Sequence, residues 1–235
     1  MTKGKLYLIP SPLGDGAPSE VLPAPVFELL QTLDCFVVEE TRTARRFLSA
    51  AGLRGHIQDL EFHELNEHTP ASAVEEYASL FDGGRNIGLI SEAGLPAVAD
   101  PGARLVALCH RLGIEVVPMV GPSSLMMALM SSGLDGQSFA FAGYIPAKTE
   151  ERRTALKALE KRSRGQSQIL IETPYRNDSL FSDMLSVLSP DTRLCIAANI
   201  TCPDQFIRTL KVSQWKQLQG FTIGKRPCVF LFQAV

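Results

Sequence analysis

Short apolar segments alternate with amphipathic segments along most of this 235-residue chain. The apolar runs Cys35–Val38 and 87–91 have the length and composition of buried strands, whereas residues 26–33 and 103–112 place apolar side chains at helical spacing. Alternation of this kind predicts a mostly parallel β-sheet with helices on its faces. The fold class expected for the first half is therefore α/β.

The same alternation restarts after Gly121 but ends differently. Residues 206–212 and 229–232 have strand character and flank a short segment around Trp215. Two consecutive strands without a long helix between them indicate antiparallel pairing, so the second sheet is predicted to be mixed. We therefore predict two α/β domains, residues 1–120 with a mainly parallel sheet and residues 121–235 with a mixed sheet.

Charge is distributed unevenly between the two halves. The net charge of −2 argues against a protein held to nucleic acid by bulk charge alone. Residues 1–150 hold 10 basic and 18 acidic side chains, whereas residues 151–235 hold 13 basic and 7 acidic ones. The basic second half either meets a polyanion or contains a solvated basic helix at residues 148–164, and the composition leaves both interpretations open.

Several features favour a cytoplasmic protein without a membrane segment or a metal. The five cysteines are scattered and are interpreted as reduced, buried thiols, and no histidine pairs with them at zinc spacing. The apolar run near the N-terminus is too short for a signal peptide. The longest uncharged stretch, residues 116–134, contains Pro118, Gly121 and Pro122 close together, which favours a strand, a turn and a helix over a membrane span.

Three loops rich in glycine and proline directly follow predicted strands. They comprise residues 10–15, 91–102 and 121–124. Ligands of open parallel sheets bind at the carboxyl ends of the strands, and small residues let a ligand approach the backbone closely. Each loop alone is also compatible with a simple tight turn. The phosphate-loop, dinucleotide-binding and hydrolase signatures are missing.

The residues of these loops resemble the tetrapyrrole methylase family of S-adenosylmethionine-dependent methyltransferases. The likeness is greatest to the branch that methylates a ribose 2′-hydroxyl of small-subunit ribosomal RNA. It extends from Gly4 to about Trp215, and the longest loop, residues 91–102, is its most specific part. The matching segments are GKLYLIPSPLGD, VVEETRTARRFLSAAG, FHELNE, ISEAGLPAVADPG, VPMVGPSS, SGLDGQSFAFAGYIPAK and IETPYRN.

The resemblance implies two α/β domains with S-adenosylmethionine in the cleft between them. It also implies which residues contact this cofactor. In the first-domain loops and the helix start they are Pro12, Glu92, Leu95, Asp100, Ser123 and Ser124, and in the second domain they are Glu172, Thr173, Ala198 and Thr201.

Catalytic and substrate residues are expected after the second strand and in the segment HELNE. A ribose hydroxyl has a pKa far above 7, so a base is useful, and Glu40 and His63 are the candidates. Glu40 is alternatively an ion-pair partner of nearby arginines, and His63 a surface or capping residue. The substrate candidates are Arg42, Arg45 and Arg46, whose guanidinium groups match phosphate oxygens, and Asn66.

Three functions follow as expectations. The leading one is methylation of ribosomal RNA, with this RNA or the small ribosomal subunit as the partner. The alternatives are methylation of a small corrin-type tetrapyrrole and cofactor binding without catalysis.

We also predict a homodimer, because enzymes of the family that the chain resembles commonly pair and residues 125–130 are apolar enough for a core or an interface. Light scattering at micromolar concentration should give twice the 25.6 kDa mass of one chain. A mass near that of a single chain would refute the prediction.

Overall fold

The computed structural model describes residues 3–235, so Met1 and Thr2 of the predicted first domain lie outside the described residues. The chain divides into two compact units, the first ending at Ser123 and the second comprising Ser124–Val235. The division falls three residues beyond the boundary predicted after residue 120.

The first unit contains a five-stranded sheet in which every paired strand is parallel to its neighbour. The strand order is β3-β2-β4-β1-β5. The strands are β1 (Leu6–Ile9), β2 (Cys35–Val38), β3 (Glu61–Glu64), β4 (Ile87–Ile90) and β5 (Val116–Pro118).

Helices cover both faces of this sheet. They are α1 (Ala24–Leu30), α2 (Thr41–Leu48), α3 (Ala71–Glu76) and α4 (Ala103–Arg111). Side chains of α1 and α2 share one buried cluster with Phe36 and Val38, whereas those of α3 and α4 share another with Cys35 and Val37. Because successive side chains of a strand point to opposite faces, β2 contributes to both cores.

The second unit contains a five-stranded mixed sheet with the order β6-β7-β10-β8-β9. Only the β6–β7 pair is parallel. Its strands are β6 (Phe139–Gly143), β7 (Ser167–Ile171), β8 (Arg193–Ala198), β9 (Phe206–Lys211) and β10 (Cys228–Gln233). Its helices are α5 (Ser124–Ser132), α6 (Thr149–Arg162), α7 (Asn177–Val187) and α8 (Val212–Trp215).

The predicted fold class, a parallel first sheet and a mixed second sheet with helices, is confirmed. Strand β3 was not predicted, because Glu61–Glu64 shows no alternation of apolar and polar residues. Helix α2 ends at Leu48 and continues as a π-type turn, where Gly52 has φ 102°. No helix of residues 3–235 combines the length and apolar character needed to cross a membrane.

A buried ion pair joins α6 to α7. Asp183 accepts from Nε of Arg152 at 2.7 Å and from Nε of Arg153 at 2.7 Å, and the Arg152 and Asp183 side chains are only 6% and 5% exposed. Burial alone would raise the pKa of Asp183, but the two guanidinium groups outweigh it and hold the pKa below its usual value. Arg152 thus has a structural role, contrary to the idea of a fully solvated basic helix.

We predict that Asp183→Ala lowers the free energy of unfolding of the second unit by about 3–5 kcal/mol, because Arg152 is left buried without its counter-ion. Urea titrations followed by fluorescence of Trp215, the only tryptophan, measure this directly. The control Asp191→Ala removes an exposed partner of Lys211 and should cost about 1 kcal/mol or less.

The effect should depend on pH. The stabilisation by Asp183 is fully present above the pKa of an unfolded aspartate, about 4, and is lost as the pH falls through the lower pKa of the folded state. The wild type and Asp183→Ala should therefore converge in strongly acidic solution. A difference that stays constant from pH 7 down to this range would contradict the assignment.

Candidate functional site

The three loops rich in glycine and proline meet at one edge of the first sheet. Their strands β4, β1 and β5 are neighbours and parallel, so their carboxyl ends lie side by side. The backbone N–H of Ser11 donates to the carbonyl of Gly94 at 2.9 Å, and the reverse bond measures 3.1 Å. A Cβ on Gly94 would lie 3.4 Å from the carbonyl oxygen of Pro122. All three loops are thus in direct contact.

The loop of residues 91–102 is held in an unusual conformation by Asp100. Its carboxylate accepts from the backbone N–H groups of Ala97 at 2.9 Å and Gly102 at 2.7 Å. Ala97 and Ala99 have φ angles of 65° and 62°, which L-residues seldom adopt. Burial raises the pKa of Asp100, and the N–H donors oppose that rise. Asp100 therefore fixes the conformation of this loop. The other carboxylate of the loop, Glu92, is exposed.

Four more residues predicted to contact the cofactor lie in the three loops or at the start of α5. Pro12 and Leu95 are half-buried in the first and second loops, Ser123 ends the first unit, and Ser124 begins α5. None of these positions by itself assigns a contact to the cofactor, so their role stays a prediction.

A cavity beside these loops was not predicted from the sequence. Its volume is about 10 Å³, which is room for roughly one water-sized group. It is lined by Ser11, Val38, Glu39, Glu40, Thr43, Ala44, Phe47, Ile90, Ser91 and Glu92. Within residues 3–235 the buried hydroxyl of Ser91 has no hydrogen-bond partner. Glu39 and Ser91 each directly follow a buried strand, and this position is the sequence signal that identifies them.

Glu40 caps helix α2. Its carboxylate accepts from the backbone N–H groups of Arg42 at 3.0 Å and Thr43 at 2.8 Å, and from the Thr43 hydroxyl. These bonds hold the pKa of Glu40 below its usual value, and the bond from the Thr43 hydroxyl contributes most. Glu64 accepts from the N–H and hydroxyl of Thr41 at 3.1 and 2.6 Å. The geometry favours a capping role for Glu40 over that of a base, and its catalytic role stays a prediction.

His63 lies on the edge strand β3, opposite Val37 in the register. Its Nε2 is 2.7 Å from Oε1 of Glu61, which also pairs with Arg85. Strand β2 separates β3 from β4, so His63 is roughly 10 Å from β4 at the usual strand spacing. The Cys35 thiol lies within 4.8 Å of ligand atoms of both Glu61 and His63, a group of metal-ligand types that the spacing analysis missed.

The three predicted phosphate-binding arginines lie on the exposed surface of α2. Within the described part of the chain, no carboxylate lies within 4 Å of the guanidinium groups of Arg42, Arg45 and Arg46, so the alternative ion pairs with Glu40 do not form. Arg45 lies over the Phe62 ring at 5.2 Å from its centroid. The side-chain oxygen of Asn66 accepts a hydrogen bond from the backbone N–H of His68 at 3.0 Å, in the turn that follows β3.

In the second unit, the residues predicted for the cofactor lie near the carboxyl ends of β7 and β8. Oε1 of Glu172 accepts from Arg176 at 2.6 Å and from the N–H of Thr173 at 2.7 Å. Oε2 of this fully buried side chain has no partner among residues 3–235. Ala198 is buried at the end of β8, and Thr201 follows with φ 73°. A buried acceptor and a strained loop are features common at ligand sites.

Comparison with known proteins places this geometry in a family. The protein is 30% identical over 224 residues to the ribosomal RNA small subunit methyltransferase I of Escherichia coli O157:H7, which covers 95% of this chain and 71% of that protein. It is 36% identical over 199 residues to the protein of the same name from Neisseria meningitidis serogroup B, covering 84% of this chain and 64% of that protein.

Solved structures share the fold. A uroporphyrin-III C-methyltransferase from Thermus thermophilus superposes with a TM-score of 0.57 at 21% identity, covering 98% of this chain and 92% of that chain. The cobalt precorrin-4 methyltransferase CbiF gives a TM-score of 0.63 at 15% identity, covering 97% of this chain and 94% of that chain.

The sequence family described as Tetrapyrrole (Corrin/Porphyrin) Methylases matches residues 5–215, which include the whole first sheet and every strand of the second sheet except β10. The resemblance predicted from the loop motifs is thereby confirmed. The chain belongs to the tetrapyrrole methylase family and is an S-adenosylmethionine-dependent methyltransferase.

Proposed function

We propose that this protein methylates a ribose 2′-hydroxyl of small-subunit ribosomal RNA. The observation that carries the proposal is the identity of 30–36% with proteins named ribosomal RNA small subunit methyltransferase I, over 84–95% of the chain. The exposed arginines of α2 support it, because they lie on the helix that begins beside the cavity.

The residues present fit S-adenosylmethionine, whose sulfonium and ammonium groups are cationic. Glu92 and Asp100 bring negative charge to the loop edge, and neither forms an ion pair within residues 3–235. The unpartnered Oε2 of Glu172 is an acceptor that a ligand N–H would satisfy. The cofactor supplies an electrophilic methyl group when bound.

The chain's own contribution to methyl transfer is mainly alignment. An in-line displacement needs the acceptor oxygen, the methyl carbon and the sulfur in one line, and pre-positioning of this kind removes much of the entropic barrier. The mutual hydrogen bonds of Ser11 and Gly94 connect the first two loops, and the Asp100 contacts fix the conformation of the second.

RNA binding requires exposed positive charge. On α6 and just after it, Lys157, Lys161, Arg162 and Arg164 are exposed, whereas Arg152 is buried against Asp183. The proposed RNA contacts are therefore the α2 arginines and these four outer side chains, and not the whole of residues 148–164.

We predict that Gly94→Ala weakens binding of S-adenosylhomocysteine by about tenfold or more. The new Cβ would lie 3.0 Å from Leu13 Cδ2 and 3.4 Å from the Pro122 carbonyl, so the Leu13 side chain would have to shift where the three loops meet. Isothermal titration measures the change. Gly113→Ala is the matched control, because Gly113 has a similar φ of 68° but no atom within 4 Å of a new Cβ.

Both variants should lose about 1–2 kcal/mol of stability through left-handed backbone strain. Only Gly94→Ala should lose cofactor affinity. Equal affinity in the two variants would show that the meeting point of the loops does not contact the cofactor.

We also predict that replacing Arg42, Arg45 and Arg46 together by glutamine weakens RNA binding and flattens its salt dependence. Each lost phosphate contact should lower the slope of log K against log salt by about 0.7 for a single-stranded site. Filter binding of small-subunit RNA at several salt concentrations provides the slope, and affinity for S-adenosylhomocysteine should stay unchanged.

The control removes the same amount of positive charge at the other ends of the strands, where β1 begins and α4 ends. It replaces Lys3, Lys5 and Arg111 by glutamine. If both triple variants change RNA affinity equally, the α2 arginines are not a specific binding surface.

Transfer of tritium from labelled S-adenosylmethionine tests the function itself. Small ribosomal subunits lacking ribose methylation should be labelled, and the label should be recovered as a 2′-O-methylnucleoside. Labelling of a corrin-type tetrapyrrole alone would instead establish the small-molecule alternative, and cofactor binding without any transfer would establish a non-catalytic protein.

A further inference from the structure

Glu39 is placed beside the cofactor loops by the strand register. Val38 pairs with Ile90 in the parallel β2–β4 ladder, so Glu39 and Ser91 are the next residues of two adjacent strands. The backbone N–H of Glu92 is near enough to the Glu39 carboxylate to act on its pKa. Glu39 is half-buried and lies at the edge of the sheet, one strand spacing from the loop after β4.

The cavity between these strands contains a hydroxyl without a partner. Ser91 is only 8% exposed and lines the cavity with Glu39, and its Oγ makes no hydrogen bond within the described residues. Ser11, which lines the same cavity, donates its own hydroxyl to the Ser91 carbonyl at 3.1 Å. A buried polar atom without a partner is costly, and a ligand hydroxyl entering the cavity would satisfy it.

We propose that Glu39 is the catalytic base of methyl transfer, with the Ser91 hydroxyl holding the acceptor oxygen by a hydrogen bond. The proposal rests on the proposed function, and it assigns the acceptor hydroxyl to the cavity between β2 and β4.

The step balances without a further reactant. The acceptor hydroxyl gives its proton to a Glu39 carboxylate oxygen, and its oxygen forms a bond to the methyl carbon. The bond between that carbon and sulfur breaks, and its electron pair stays on sulfur, which becomes a neutral thioether. Glu39 then releases the proton to solvent.

Neighbouring candidates are less free to take a proton. The Glu40 carboxylate already accepts hydrogen bonds from backbone N–H groups in the first turn of α2. His63 is paired with Glu61 on the edge strand. Glu39 lines the cavity, and the cap of α2 is Glu40 and not Glu39.

The electrostatic surroundings make Glu39 a stronger base than an ordinary glutamate. Burial is the main cause that raises its pKa, and the carboxylates of Glu92, Asp100 and Glu67 add to the rise, against the backbone N–H of Glu92. Glu40 faces the same cavity from α2. A base works when deprotonated, so the rate should rise with pH through this raised pKa and then level off.

The test is single-turnover methyl transfer to small ribosomal subunits with wild type, Glu39→Gln, Glu39→Asp and Ser91→Ala. Glu39→Gln should keep its affinities for S-adenosylhomocysteine and RNA but lose about 10²-fold or more in rate, together with the acidic limb of the pH profile. Glu39→Asp should retain part of the rate and that limb. The control Glu28→Gln, an exposed position on α1, should behave as wild type.

Each outcome is decisive. Active wild type with a Glu39→Gln variant of similar rate, or with the loss found instead in Glu40→Gln or His63→Ala, overturns the assignment and leaves the proposed function standing. Wild type that transfers no methyl group to RNA overturns both. If Glu39→Gln fails to fold, a wild-type or Glu39→Asp profile without an acidic limb overturns the assignment.

Discussion

Parallel pairing of β1 with β4 on one side and β5 on the other is the constraint on which the candidate site depends. It brings three loops that are far apart in sequence to one edge. Two glycines make the close approach possible. A Cβ on Gly88 would lie 2.7 Å from the Phe36 ring, and one on Gly121 would lie 2.2 Å from Cβ of Pro10. A side chain at either position would force the strands or loops apart.

The carboxylates at this edge have different roles because their partners differ. Asp100 binds backbone N–H groups of its own loop, whereas Glu40 and Glu64 bind the first turn of α2. Helix N-terminal N–H groups need acceptors and favour negative charge, so these carboxylates stabilise the fold. Glu39 and Glu92 remain directed to the cavity. Carboxylates at this edge therefore differ in their surroundings: some accept backbone N–H groups, and others line the cavity.

Most strands and helices were predictable because they are buried on a regular period. Strand Cys35–Val38 has the predicted bounds, and β4 differs from its prediction by one residue. Strand β3 was missed because it is an edge strand with a mostly polar, exposed sequence. Arg152 belongs to a basic segment for which the sequence predicts either contact with a polyanion or solvation, and neither includes its burial, since its partner Asp183 is 31 positions away and no local pattern connects them.

The sequence by itself determined the α/β class, the order of the buried strands and the family, because these depend on local periodicity and on continuous motifs. Only the tertiary structure decided which polar side chains find a hydrogen-bond partner. Thr41 meets Glu64 across 23 residues and Ser11 meets Ser91 across 80, and such contacts arise only when strands pair. The β2–β4 register, which the packing of apolar residues sets, places Glu39 beside the Ser91 hydroxyl, which has no hydrogen-bond partner within residues 3–235.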